Sequence, residues 1–166
     1  TYDSKDVASA TTIIWGGLSS SNSNYTVQGS QAAAITPKSL TVTGLSVPTS
    51  RVYDATNDAV VSGTAGLLAA QAPGAGSTSD GKPYTGDTIN ISGSATATYN
   101  SKDVASATRV TFGGLTLDNG NYSLTGTQSA TLTPKALTLQ GLTVPASRSY
   151  DGTLSASVTG TPVVLA

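Results

Sequence analysis

Apolar and polar positions alternate along most of this chain, the two-residue spacing of strands with one buried face. Leu40 and Val42, set among Thr41 and Thr43, predict one strand, and Ile89 and Ile91 followed by Ala95, Ala97 and Tyr99 predict another. Val110 and Phe112 begin a third, and the stretch from Leu124 to Leu132 predicts a fourth and a fifth. Asp118-Asn119-Gly120-Asn121 places an Asn-Gly pair, a strong hairpin signal, between two of these runs. Only Ala65-Gly66-Leu67-Leu68-Ala69-Ala70-Gln71 has helix-forming composition, over about two turns. The pattern predicts an all-β chain of small Ig-like β-sandwich modules with at most one short helix per module, the alternative being a β-grasp-like module.

The pattern also repeats. Thr1-Tyr2-Asp3-Ser4-Lys5-Asp6-Val7-Ala8-Ser9-Ala10-Thr11 returns 97 residues later as Thr98-Tyr99-Asn100-Ser101-Lys102-Asp103-Val104-Ala105-Ser106-Ala107-Thr108. The same offset relates Gly16-Gly17-Leu18 to Gly113-Gly114-Leu115, Asn24-Tyr25 to Asn121-Tyr122, and Thr36-Pro37-Lys38 to Thr133-Pro134-Lys135. Arg51 with Tyr53-Asp54 likewise matches Arg148 with Tyr150-Asp151. A period of this length is that of a small globular domain, too long for a solenoid unit, so a tandem array is expected. Proline favours an extended joint, which puts module boundaries at the Thr-Pro-Lys segments. On that phase 38–134 is a complete module, 1–37 the C-terminal half of one repeat and 135–166 the N-terminal part of the next. A boundary in the Gly/Ser-rich stretch 72–81 would instead give two nearly whole domains. The two end parts are expected to be completed by covalent neighbours or by strands of other subunits.

Composition removes most chemistry. The 166 residues include no Cys, no Met and no His, and every acid is Asp. Thiolate nucleophiles, disulfides, Cys/His zinc sites and Ser-His-Asp triads therefore have no residues to build them. Charged residues make up 10% of the chain and the net charge is -1, without the clustered Lys and Arg that nucleic-acid binding requires. No apolar run is long enough to span a membrane. Without Met the chain reads as an internal piece of a longer protein. These features predict no enzyme activity, no cofactor, no metal site and no catalytic residue.

Set in order, the motifs resemble a known family. Lys135-Ala136-Leu137-Thr138 followed by Ser149-Tyr150-Asp151-Gly152-Thr153 is similar to the start of YDG and MBG modules. Gly86-Asp87-Thr88-Ile89, Ala95-Thr96-Ala97-Thr98-Tyr99, Lys102-Asp103-Val104, Gly114-Leu115, Asn121-Tyr122-Ser123-Leu124 and Thr133-Pro134-Lys135 follow in the family's order. Ala55 departs from it where Gly is usual, so the first Tyr-Asp turn must avoid or tolerate positive φ. The resemblance implies a repeat of a large, filamentous haemagglutinin-like bacterial adhesin exported by two-partner secretion. It further implies an extracellular or cell-surface location, a stalk role, and neighbouring repeats as partners; the alternative is a module that binds polysaccharide or host glycan.

Several residues invite a site reading. Lys5-Asp6 and Lys102-Asp103 could form ion pairs or a Lys-Asp crosslink, with a solvated turn as the simpler reading. Asp118-Asn119-Gly120-Asn121 has the alternating oxygens of a calcium loop, but its counterpart Ser21-Asn22-Ser23-Asn24 lacks the carboxylate, which favours a turn. Tyr53-Asp54 and Tyr150-Asp151 are expected to fill the sheet interface with Tyr and cap a turn with Asp. Trp15, at the repeat position of Phe112, could stack on a sugar or serve the core, and the loop from Ala72 to Tyr84 is a second candidate glycan contact. Asn24-Tyr25-Thr26, Asn90-Ile91-Ser92 and Asn121-Tyr122-Ser123 match the glycosylation acceptor pattern. Thr-rich strand faces could bind ice or carbohydrate, although a wet sheet face explains them as well.

Overall fold

The alternating runs become short strands, seen in a computed structural model that describes residues 1–165. In chain order they are β1 (Thr12–Ile14), β2 (Ser30–Ala32), β3 (Lys38–Ser46), β4 (Ser50–Val52), β5 (Ser62–Leu67) and β6 (Ile91–Tyr99). They continue with β7 (Arg109–Leu117), β8 (Tyr122–Thr125), β9 (Thr127–Ser129), β10 (Thr131–Thr133), β11 (Thr138–Thr143) and β12 (Thr159–Leu165). The chain is all-β, with no helix among the described residues. Two three-stranded sheets, ordered β5-β3-β8 and β6-β7-β9, are joined by the β4/β10 pair, and β1/β2 and β11/β12 lie to either side in sequence.

Two sequence expectations are corrected. Residues Ala65–Gln71 do not form a helix: Gly66 and Leu67 lie in β5, paired with Thr43 and Val42 of β3. The edge of β3 supplies backbone partners that outweigh a weak local propensity already reduced by Gly66. The Asn-Gly turn does not close a β7/β8 hairpin. After the turn, β8 leaves to pair in parallel with β3, while β9 returns to pair antiparallel with the start of β7. The turn is closed by Asn119, whose side-chain Oδ1 accepts the Asn121 N–H at 3.0 Å and whose backbone carbonyl accepts the Tyr122 N–H at 3.2 Å.

The β3/β5 hairpin carries a bulge at Gly44 and Gly63, with φ of 76° and 94°. A Cβ on Gly63 would overlap the carbonyl oxygen of Gly44, so the two backbones approach only because both residues lack side chains. The same paired-glycine bulge recurs at Gly93/Gly114 in β6/β7 and at Gly141/Gly160 in β11/β12. Bulges of this kind increase the local twist and bend the strands that carry them.

The inward positions of β6 and β7 form that core. Ala97, Tyr99 and Val110 pack with Val47, Ala107, Ala130 and Leu132, and with the half-buried Ala59, Val61, Val104 and Phe112. The strand expectations for Ala97, Tyr99, Val110 and Leu132 are met on the predicted face. Gln128 closes the edge, its Oε1 accepting the Val47 N–H at 3.0 Å and its Nε2 donating to the Val47 carbonyl at 2.7 Å. A side-chain amide here replaces a strand neighbour and leaves neither backbone group of Val47 unpaired.

Candidate functional site

The Tyr-Asp turns are local devices. Asp54 Oδ1 accepts the Thr56 N–H at 2.9 Å and its hydroxyl at 2.8 Å, and the carboxylate pairs with Arg51. Arg51 also donates to the Thr56 carbonyl at 2.7 Å and lies over the Tyr99 ring, 5.2 Å from its centroid. The Arg51 guanidinium, followed by the Thr56 bonds, holds the Asp54 carboxyl well below the usual carboxylate range. Asp151, Arg148 and Thr153 repeat the arrangement. Ala55 accepts φ of 71° where Gly152 has 74°, so the departure from Gly is tolerated at the cost of strain. The cap expected of Asp is present, but Tyr53 is not in the core. It is half-buried in a groove with Val104, Pro134, Lys135 and Leu137, while Tyr150 is fully exposed. Tyr99 and Tyr122 occupy the buried aromatic positions instead.

Lys38, a residue with no assigned role in the sequence reading, is buried at the start of β3 on the same side as Leu40. Its Nζ lies 2.9 Å from Asp80 Oδ1 and 4.2 Å from the Tyr84 ring centroid. Asp80 also accepts the Gln71 Nε2–H at 2.6 Å and the Lys82 N–H at 3.0 Å. Burial pushes the Lys38 ammonium toward deprotonation, but Asp80 and Tyr84 outweigh it and leave its pKa raised. Lys38, with the Lys82 N–H, holds Asp80 well below the ordinary carboxylate value. An amide crosslink needs a neutral amine and a protonated acid, so these shifts make the pair an ion pair poorly set up for condensation. Lys5–Asp6 and Lys102–Asp103 are exposed neighbouring ion pairs at 3.0 and 2.8 Å. The available signal for Lys38 was its register: it lies two residues before Leu40 on an inward face.

Between residues 1–37 and the strands that follow lies a cleft of about 940 Å³, lined by Tyr2, Val7, Lys38, Tyr84, Asp87 and Tyr122 among others. Tyr122 Oη donates to Asp87 Oδ2 at 2.6 Å and accepts the Tyr84 N–H at 3.1 Å. Burial, then the Asp87 bond, pushes the Tyr122 phenol up to about 12. On one rim, Asn121 Oδ1 accepts the Val7 N–H at 2.8 Å and its Nδ2 donates to Asp6 Oδ1 at 2.9 Å. Proline punctuates the chain beside this contact at Pro37.

The remaining candidates are engaged elsewhere. Asp118 accepts from the Asn90 backbone and side chain, so the proposed calcium-type turn uses its carboxylate to tie two segments together. Among the described residues no cluster of three acidic or metal-ligating side chains forms. Of the glycosylation patterns, the Asn90 and Asn121 amides bond to Asp118 and Asp6. Trp15 is half-exposed and lies across Gly29, as Phe112 lies across Gly126. The Thr138 and Thr143 positions of β11 are exposed, as is every other residue of that strand. No helix among the described residues is long and apolar enough to cross a membrane.

The family model for the YDG domain matches residues 36–131. No curated protein and no solved structure shows a significant match to the chain. With that match covering more than half of the sequence and the capped Tyr-Asp turns in place, the chain belongs to the YDG domain family.

Proposed function

We propose that this chain is a structural repeat from the stalk of a secreted or surface-attached bacterial adhesin, extending a functional tip away from the cell. In this reading 38–134 is one complete Ig-like β-sandwich module, while 1–37 and 135–166 are parts of the flanking modules, completed by neighbouring repeats. The observation that carries the reading is the distribution of burial. The main apolar core is assembled from residues between Val47 and Leu132, whereas the aromatic and aliphatic residues of the two ends are largely exposed. Polar side chains are engaged in turn capping and strand closure, such as Asp54 and Gln128, a pattern suited to a load-bearing spacer. The β-grasp-like alternative calls for a helix across the sheet, and the described residues contain none. Force spectroscopy on the chain between two handles tests the reading, with a single cooperative rupture from the 38–134 unit as the expected outcome. Gradual extension without a rupture would remove the stalk role.

The second reading, a glycan-binding module, draws on the cleft that Tyr2 and Tyr84 line, where the exposed Tyr2 ring beside charged groups suits a sugar ring. A glycan array separates the two: hits abolished by Tyr84→Ala would favour binding, and an empty array the stalk.

A further inference from the structure

Two turns in this chain match bond for bond. Ser9 and Ala10 donate to the Asp6 carbonyl at 3.0 and 2.9 Å, and Ser106 and Ala107 donate to the Asp103 carbonyl at the same distances. Ser4 Oγ accepts the Asp6 N–H and Ser101 Oγ the Asp103 N–H, both at 3.0 Å. Each Asp is paired with the lysine before it. They differ in one respect. The first turn holds Asn121 by two bonds, through the Val7 N–H and the Asp6 carboxylate, whereas Val104 N–H and Asp103 have no such partner among the described residues. The Asp6 side chain is 47% exposed and that of Asp103 63%.

The surroundings follow the same offset. Val7, Pro37 and Lys38 line the cleft on which Asn121 sits, and Val104, Pro134 and Lys135 line a groove of about 410 Å³ beside Asp103. The residue that plugs the first site also belongs to a repeated turn. Asn121 N–H bonds Asn119 Oδ1 at 3.0 Å, and Asn24 N–H bonds Asn22 Oδ1 at 2.9 Å. The Asn is present in both turns although the Asp at position 118 is replaced by Ser21.

We propose that Val104 N–H, Asp103 and the adjoining groove form the socket of a second inter-module joint, whose occupant is the Asn-bearing turn of a following YDG module on the same polypeptide. A primary amide offers a carbonyl acceptor and an NH2 donor in one plane, which match the backbone N–H and carboxylate of the socket. A carboxylate in place of that Asn would face Asp103 and be repelled, so the joint selects Asn. Two bonds on one planar amide, beside a proline, fix the angle between neighbours as well as their spacing. The inference rests on the stalk reading for its biological sense, but the socket can be tested apart from it.

Amide hydrogen exchange followed by NMR supplies the test, because Lys-Asp-Val-Ala surrounds both valines and gives them the same intrinsic exchange rate. In the chain as it stands, Val7 N–H is expected to exchange about three- to tenfold more slowly than Val104 N–H, and Asn121→Ala to abolish that difference. A longer chain, in which a second copy of residues 70–166 follows Ala166 and continues the period, is then compared. Val104 should fall to the rate of Val7, and Asn→Ala at the added copy's equivalent of Asn121 should reverse the gain. An unprotected Val104 in a longer chain whose added core amides are protected overturns the proposal. Protection of Val104 in the original chain that grows with protein concentration would assign the socket to a second copy and overturn the covalent occupant. Glycan hits or gradual extension would remove the stalk reading without moving the Val104 rate.

Discussion

Residues 1–37 and 98–134 carry nearly the same pattern but lead different lives. Tyr2 is 43% exposed and its counterpart Tyr99 is 3% exposed; Tyr25 is 69% exposed and Tyr122 is 6% exposed. The local structure survives in both places. The turns at Asp6 and Asp103 have the same bonds, β1/β2 pairs Thr12–Ile14 with Ser30–Ala32 as β7/β9 pairs Arg109–Thr111 with Thr127–Ser129, and each aromatic lies over its glycine. What changes is the company. Residues 98–134 meet the strands that precede them, which cover one face, and among the described residues nothing equivalent covers 1–37. The Tyr-Asp turn makes the same point at the other end, since it is equally well formed at 51–56 and at 148–153 while the strands beside it differ in burial. Turns in this protein are therefore written locally, and burial is conferred by non-local pairing.

The comparison breaks most readily at the core tyrosine. Tyr99→Ala is expected to destabilise the proposed 38–134 module by about 3–5 kcal/mol in urea titrations, with Tyr2→Ala costing less than about 1 kcal/mol. Equal effects would mean that residues 1–37 share the same cooperative unit. The second contrast sets Lys38 against Lys135. Asp80→Asn leaves a buried ammonium without its counter-charge and should lower the urea midpoint clearly, whereas Lys135→Met at the exposed repeat position should be near neutral.

A glycine pair sharpens it further. Gly63→Ala forces a Cβ into the Gly44 carbonyl and should cost about 2 kcal/mol or more in global stability. Gly160→Ala meets the same clash in the exposed β11/β12 hairpin, and there the loss should appear as faster local hydrogen exchange with the global midpoint unchanged.

The charged pairs set the pH response. Asp80 and Asp54 are held below the ordinary aspartate value of 3.8, so their stabilisation is complete above that pH and is lost as pH falls through their folded values. Lys38 is raised above 10.5, so its contribution is complete below that pH and is lost as pH rises through its folded value. Stability of the proposed 38–134 module should therefore be level near neutral pH and fall below about pH 4, with Asp80→Asn flattening the acid limb in thermal melts. A small gain is expected as well: Ala55→Gly relieves a left-handed φ and should raise stability by about 0.5–1 kcal/mol.

Much of the fold was legible because period-two alternation reports a half-buried face directly. Leu40, Ala97, Tyr99 and Val110 were placed inward on that basis, and they are buried. The Asp cap at residue 54 was legible because an Asx turn needs only its own neighbours. Pairing was not legible. Nothing local to Ala65–Gln71 announces that β3 offers it a free edge, and nothing local to Asn119-Gly120 announces that β8 will run parallel to β3. The paired-glycine bulges left a trace that can be read in retrospect, because Ser62-Gly63-Thr64, Ser92-Gly93-Ser94 and Thr159-Gly160-Thr161 each face a Gly-Leu step. Lys38 and Asn121 escaped for the same physical reason: their partners lie far off in sequence, at Asp80 and at Asp6 and Val7.

Limited chymotrypsin digestion with mass-spectrometric mapping tests most directly whether burial follows context in these repeated sequences. The expected order is early cleavage at Tyr2, Trp15, Tyr25 and Tyr150, with a resistant fragment that retains Tyr99, Phe112 and Tyr122. Early cleavage at Tyr99 or Tyr122, or equal resistance of Tyr25 and Tyr122, would contradict the account.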